Sequence, residues 1–197
     1  MFVGRKKGLK TLENLYNSDD FQFIVLYGKR RIGKTTLIKQ FLLDKEAIYF
    51  VGIESNEKQN LDNFSKCIFE YEKKNVPASY FSSYQDALDY VFCLSKEKRI
   101  ILVIDEYPYV ARVSKSLAST LQFLIDKYKD NSKIMLILCG SSMSYMEDEV
   151  LAYKSPLYGR RTSQMKIMPF DFFECYDYLK KFPIEERAII YGMLGGT

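Results

Sequence analysis

Short apolar runs alternate along the chain with stretches whose apolar positions recur at helical spacing. The runs cover residues 23–27, 47–52, 100–105, 134–139 and 165–168, and four of them are apolar throughout or nearly so. That pattern predicts strands covered on both faces in a parallel sheet. Helices are expected between them, over 34–43, 58–73, 84–95, 117–128 and 144–151. Strand–helix alternation of this kind implies right-handed βαβ units, so the expected fold is α/β, three layers around a five-stranded, mainly parallel sheet. After Pro169 the pattern becomes helical only, in DFFECYDYLKKF and PIEERAIIYGML. One core over 1–170 is therefore expected, followed by a helical appendage over 171–197 that breaks off at Gly195-Gly196-Thr197 as the start of something larger. Repeats, low-complexity tracts and Pro/Gly-rich linkers are absent from the sequence.

With 197 residues, 47% of them hydrophobic and 27% charged, the chain has the material for one ordinary globular core. It contains no histidine, which removes imidazole bases, histidine metal ligands and Ser-His-Asp triads. Cys67, Cys93, Cys139 and Cys175 lie far apart and form no CxxC pair, so they read as free, mostly buried thiols of a reducing cytoplasm. The N-terminus lacks the apolar segment of a signal peptide and no window resembles a membrane span, so a cytoplasmic protein without membrane contact is expected. The net charge of +4 is uneven: residues 1–45 hold ten Lys/Arg against four Asp/Glu, and the remainder holds 19 against 21. An anionic ligand near the N-terminal segment suits that distribution better than affinity of the whole surface for nucleic acid.

The basic excess centres on Gly28-Lys29-Arg30-Arg31-Ile32-Gly33-Lys34-Thr35, which fits G-x-x-x-x-G-K-[ST] and lies between an apolar strand and an amphipathic helix. Its glycines let the backbone of Gly28, Arg31, Ile32 and Gly33 wrap a polyphosphate, with the helix N-terminus behind it. Lys34 then reaches the β- and γ-phosphates of ATP and the Thr35 hydroxyl ligates Mg²⁺. Arg30 and Arg31 occupy variable positions of the loop, where phosphate contact and plain solvated charge are both open readings.

A second motif, the apolar run 100–104 ending in Asp105 and Glu106, places one carboxylate to hold Mg²⁺ and a second to activate water. Alone, an acidic strand end is only a solvated terminus; behind a phosphate loop it points to nucleotide hydrolysis. A third motif, the apolar run 134–139, leads through Gly140 into Ser141 and Ser142, one of which would face the γ-phosphate, while Ser142 also suits a helix N-cap. A fourth segment, Ser155-Pro-Leu-Tyr-Gly159-Arg160-Arg161-Thr162, offers two arginines as surface charge or as a finger on the transferred phosphate. No guanine-reading N-K-x-D motif occurs, which favours ATP over GTP.

Taken in order, Phe2-Val3-Gly4-Arg5, YGKRRIGKTTLI, ILVIDEYPYV, LCGSSMSYMEDEV, SPLYGRRT and the terminal GGT resemble the archaeal-type ATPase domain, a branch of the STAND and AAA+ P-loop NTPases of the ASCE class. The resemblance spans nearly the whole chain, with Gly28-Lys29 where the family usually has Gly-Arg. It implies that Val3, Gly4 and Arg5 lie by the adenine, that Thr36 touches the α-phosphate, and that Arg160 or Arg161 completes a neighbour's site in a self-association. It also implies that a lid, a winged-helix-like module and a nuclease-like domain follow position 197, where any DNA contact would reside. The expected function is thus a Mg-dependent, ATP-hydrolysing core acting as a switch or motor for effector modules. The alternative is a nucleotide-gated ATP/ADP-binding module with negligible hydrolysis. The 16 Tyr and 14 Phe follow core periodicities more than an exposed base-stacking platform, which disfavours a nucleic-acid-binding role.

Overall fold

In a computed structural model, residues 4–73 and 80–196 are described; Phe2, Val3 and Thr197 of the motifs above lie outside them. The element order is α1 (Lys6–Asn17), β1 (Gln22–Tyr27), α2 (Lys34–Phe41), β2 (Ala47–Val51), α3 (Glu57–Tyr71), α4 (Tyr84–Leu94), β3 (Ile100–Asp105), α5 (Tyr107–Val113), α6 (Leu117–Tyr128), β4 (Ile134–Gly140), α7 (Met143–Tyr145), β5 (Ser163–Lys166), α8 (Phe172–Tyr178) and α9 (Ile184–Leu194). The strands form one sheet in the order β2-β3-β4-β1-β5. Every pairing is parallel.

Three strands are buried at every position, and successive residues feed opposite faces. Ile24 and Leu26 of β1, Ile101 and Val103 of β3, and Met135 and Ile137 of β4 join Leu37, Ile38 and Phe41 of α2 and Leu12 of α1 in one cluster. The intervening residues, such as Val25, Leu102 and Leu136, join Phe64, Leu88, Val91, Leu121 and Leu124 from α3, α4 and α6 in the other. Two-sided burial is why these strands read as unbroken apolar runs.

The structure departs from the sequence expectations in four places. The fifth strand is Ser163–Lys166 rather than 165–168: this mostly polar edge strand alternates half-buried and exposed positions, and Met168 is exposed. A helix not anticipated, α5, begins directly after Glu106 with Pro108 in its first turn, a position that proline tolerates. The expected helix over 144–151 is one α-turn, α7, continuing as a π-helical segment, Met146–Leu151. Cys93 is exposed, whereas Cys139 and Cys175 are buried and Cys67 is half-buried.

Candidate functional site

All five strands point the same way, so the loops after β1, β3 and β4 meet at the carboxyl end of the sheet, the place where open α/β sheets bind ligands. The loop after β1 is held by its glycines. A Cβ on Gly28 would collide with the Ile167 carbonyl and Ile32 Cδ1, so only glycine permits this approach to the chain beyond β5. Gly33, the N-cap residue of α2, has φ 87°, and among the described residues nothing lies within 4 Å of where its Cβ would stand. Arg31 also takes a left-handed φ of 63°, a strain of about 1–3 kcal/mol for a non-glycine residue. Lys34, only 6% exposed, donates from Nζ to the carbonyls of Gly28 at 3.0 Å and Lys29 at 2.7 Å. An ammonium has three donors, so one remains for an anion over the loop. Thr35 and Thr36 stand exposed in the first turn of α2.

Asp105 ends β3 and is 2% exposed. Its Oδ2 accepts from Thr35 Oγ1 at 2.9 Å and from the Tyr49 hydroxyl at 2.6 Å, and its Oδ1 accepts from the Glu106 N–H at 2.9 Å. The Tyr49 phenol is pushed well above its usual value, chiefly by burial and then by the adjacent carboxylate. Burial likewise pushes the Cys139 thiol well up, with Asp105 adding to it. Glu106 follows in a left-handed conformation, φ 52° and ψ 40°. Its Oε2 accepts from Ser141 Oγ at 2.7 Å. The structure thus links Thr35, Asp105, Glu106 and Ser141 in one chain of contacts across three strand ends, with Lys34 next to Thr35 at the start of α2. Ser142 occupies the N-cap position of α7 without a side-chain capping bond and instead accepts from Arg112 at 3.4 Å.

The donor set suits a hard divalent cation. One carboxylate and one hydroxyl, both oxygen donors and mutually within 2.9 Å, match the way Mg²⁺ is held when substrate phosphates and water supply the other ligands. Among the described residues no group of three His, Cys, Asp or Glu side chains forms a self-sufficient metal cage.

Beside the loop lies a cavity of about 420 Å³, walled by Arg31, Ile32, Gly33 and Thr36 on one side and by Phe170, Tyr178, Tyr191 and Leu194 on the other. Arg5 lies at its border, only 9% exposed, donating from Nη2 to the Ile32 carbonyl at 2.8 Å with its guanidinium 4.3 Å from the Phe170 ring centroid. Burial lowers the Arg5 pKa, against the nearby Glu174 carboxylate, which raises it. The Arg5 Nε is buried and has no hydrogen-bond partner among the described residues.

The two arginines of SPLYGRRT diverge. Arg160 is committed within the chain, making paired bonds to Asp126 of α6 at 2.9 and 2.7 Å and another to the Pro156 carbonyl at 2.9 Å. Arg161 lies 5.7 Å from the Tyr158 ring centroid, with a buried Nη1 that has no hydrogen-bond partner among the described residues. Sequence reasoning missed Tyr49, Phe170 and Asp126. Tyr49 is hidden inside an apolar strand opposite Val103, and its bond to Asp105, two residues further along β3, depends on that pairing of distant segments.

The family described as an ATPase domain predominantly from Archaea matches residues 2–197. An uncharacterized protein of Methanocaldococcus jannaschii is 36% identical over 199 residues, an alignment covering 100% of this chain and 42% of the relative. An uncharacterized ATP-binding protein of the same organism is 22% identical over 260 residues, covering 99% of this chain and 68% of its own length. Among solved structures, a Walker-type ATPase of Pyrococcus abyssi superposes with a TM-score of 0.74 at 21% identity, covering 99% of this chain and 64% of that one. The ORC2 protein of Aeropyrum pernix, solved as ADPNP–ADP complexes, superposes with a TM-score of 0.64 at 17% identity, over 96% of this chain and 53% of that one. This chain therefore spans less than half of the first relative and about two thirds or less of these solved structures, whose likeness carries the fold alone. By sequence match and by its parallel P-loop ATPase fold, the chain belongs to the family of ATPase domains found predominantly in Archaea.

Proposed function

We propose that this chain is a Mg-dependent ATPase core of the AAA+/STAND type, in which 1–170 binds and hydrolyses ATP and 171–197 begins a helical lid. It would act as a switch or motor for effector modules outside the chain. The observation that carries this reading is the convergence of Lys34, Thr35, Asp105, Glu106 and Ser141 at the carboxyl end of the sheet.

The loop amides and the N-terminus of α2 take the polyphosphate, and the free donor of Lys34 stabilises charge on the β- and γ-phosphates. The cavity beside the loop takes the base and ribose, with Arg5 and Thr36 at its border. Thr35 and Asp105 would hold Mg²⁺, whose charge neutralises the phosphate oxygens. Water attacks the γ-phosphorus, a new P–O bond forms, and the bond to the β-phosphate oxygen breaks. Glu106 accepts the water's proton. Because Ser141 occupies Oε2, the free oxygen Oε1 faces that task, and the hydroxyl fixes which way it points. The same bond supports a second reading: a carboxylate restrained by Ser141 would hold nucleotide in a gated module without turning it over.

Lys34→Ala removes the point charge while leaving the backbone cradle. Charge-assisted contacts are worth about 1.5–3 kcal/mol, so calorimetry should show ATP affinity falling by about tenfold or more. Unchanged affinity would remove the phosphate-loop reading. Single-turnover hydrolysis with protein in excess separates the ATPase from the gated module.

A further inference from the structure

Tyr49 is the middle residue of the edge strand β2. The parallel register sets Val51 beside Asp105, so Tyr49, two residues earlier, stands on the same face of the sheet, the face covered by α2. From there its hydroxyl reaches Asp105 Oδ2 at 2.6 Å.

Asp105 has three donors, but they are not equivalent. Thr35 Oγ1 shares Oδ2 with Tyr49, yet in a phosphate loop this hydroxyl serves the cation and the nucleotide. The Glu106 amide binds the other oxygen and belongs to a strained, left-handed residue. The Tyr49 hydroxyl is carried by a strand, and its position owes nothing to the nucleotide. It alone of the three anchors Oδ2 from a part of the molecule that takes no other role in the site.

We infer that Tyr49 is a positioning residue of the metal site: its hydroxyl fixes the rotation of the Asp105 carboxylate so that the carboxylate meets the cation in one orientation. The inference rests on the reading of Asp105 as the Mg²⁺-holding carboxylate. Partners that orient metal-ligating groups typically contribute 10–100-fold to metal affinity.

ADP binding measured by calorimetry in EDTA, and then across a Mg²⁺ titration, tests it. Tyr49→Phe removes one oxygen from a half-buried ring. The Mg²⁺ midpoint should rise about tenfold or more, while affinity for ADP in EDTA stays within about twofold. Tyr49→Met, which keeps apolar bulk without a hydroxyl, should repeat the shift. Asp105→Asn should raise the midpoint as well, and adding Tyr49→Phe to it should raise it no further. An unchanged midpoint in Tyr49→Phe, or an equal loss of affinity in EDTA, overturns the positioning role. If ADP binding by the unsubstituted protein ignores Mg²⁺, the assignment of Asp105 falls first and that of Tyr49 with it.

Discussion

Glu106 adopts a backbone conformation that a glutamate reaches only at a cost of about 1–3 kcal/mol, and it does so between a buried strand and a helix that starts with the next residue. That turn carries its carboxylate onto the Ser141 hydroxyl, so the strain is stored where chemistry is proposed. Glu106→Gln preserves shape and still offers Ser141 an acceptor, but it cannot take a proton from water. Hydrolysis in single-turnover assays should fall by about 10²–10⁴-fold, with ATP affinity changed by no more than about twofold. Ser141→Ala should leave binding intact and lower turnover, because Glu106 then loses its restraint. Glu106 and Asp105 were visible as an acidic pair ending an apolar run; their different burial and the strain at Glu106 were not, since both depend on contacts across the sheet.

Among the elements, the loop between β1 and α2 was the most legible, because glycine spacing and charge are themselves the mechanism. Gly28→Ala should destabilise the fold by about 1–3 kcal/mol in urea unfolding, since the Ile167 carbonyl and Ile32 side chain leave no room for a methyl group. The segment 155–162 was legible only as a pair of arginines. Its two guanidiniums part company because Asp126 on α6 lies within reach of Arg160, a contact between residues 34 apart. Arg160 holds the Asp126 carboxyl below its usual range. The pairing therefore contributes at any pH above the ordinary carboxylate value of about 3.9 and is lost as pH falls through the lower folded value, outside the neutral range. α5 and β5 escaped sequence reading for opposite reasons. The first is a short apolar helix that resembles a strand tail, and the second is a polar edge strand beside a run, 165–168, that looks more like a strand than it does.

At the scale of the molecule, the fold class and the parallel sheet followed from the apolar runs, whereas the strand order depends on pairings between distant segments. With Arg160 engaged by Asp126, the proposal that an arginine completes a neighbouring subunit's site rests on Arg161. An arginine supplied in trans is worth about 10³–10⁵ in rate. Specific ATPase activity should then rise with protein concentration, and Arg161→Ala should flatten that rise without altering ATP affinity. Glu106→Gln protein should restore activity to an Arg161→Ala partner in mixtures. Turnover by Arg161→Ala alone at the unsubstituted rate would make this arginine a surface charge.

One side chain touches both walls of the cavity. Arg5 bonds the Ile32 carbonyl of the phosphate loop and lies against the ring of Phe170, and its own backbone N–H reaches the Glu174 carboxylate of α8 at 3.5 Å. A movement of the loop and a movement of α8 would therefore meet at this one residue. Thermodynamic reciprocity follows: if a partner docked on α8 changes nucleotide affinity by some factor, nucleotide changes that partner's affinity by the same factor. Arg5→Ala removes the guanidinium that joins the two walls and keeps the backbone N–H to Glu174, so any such coupling should fall away.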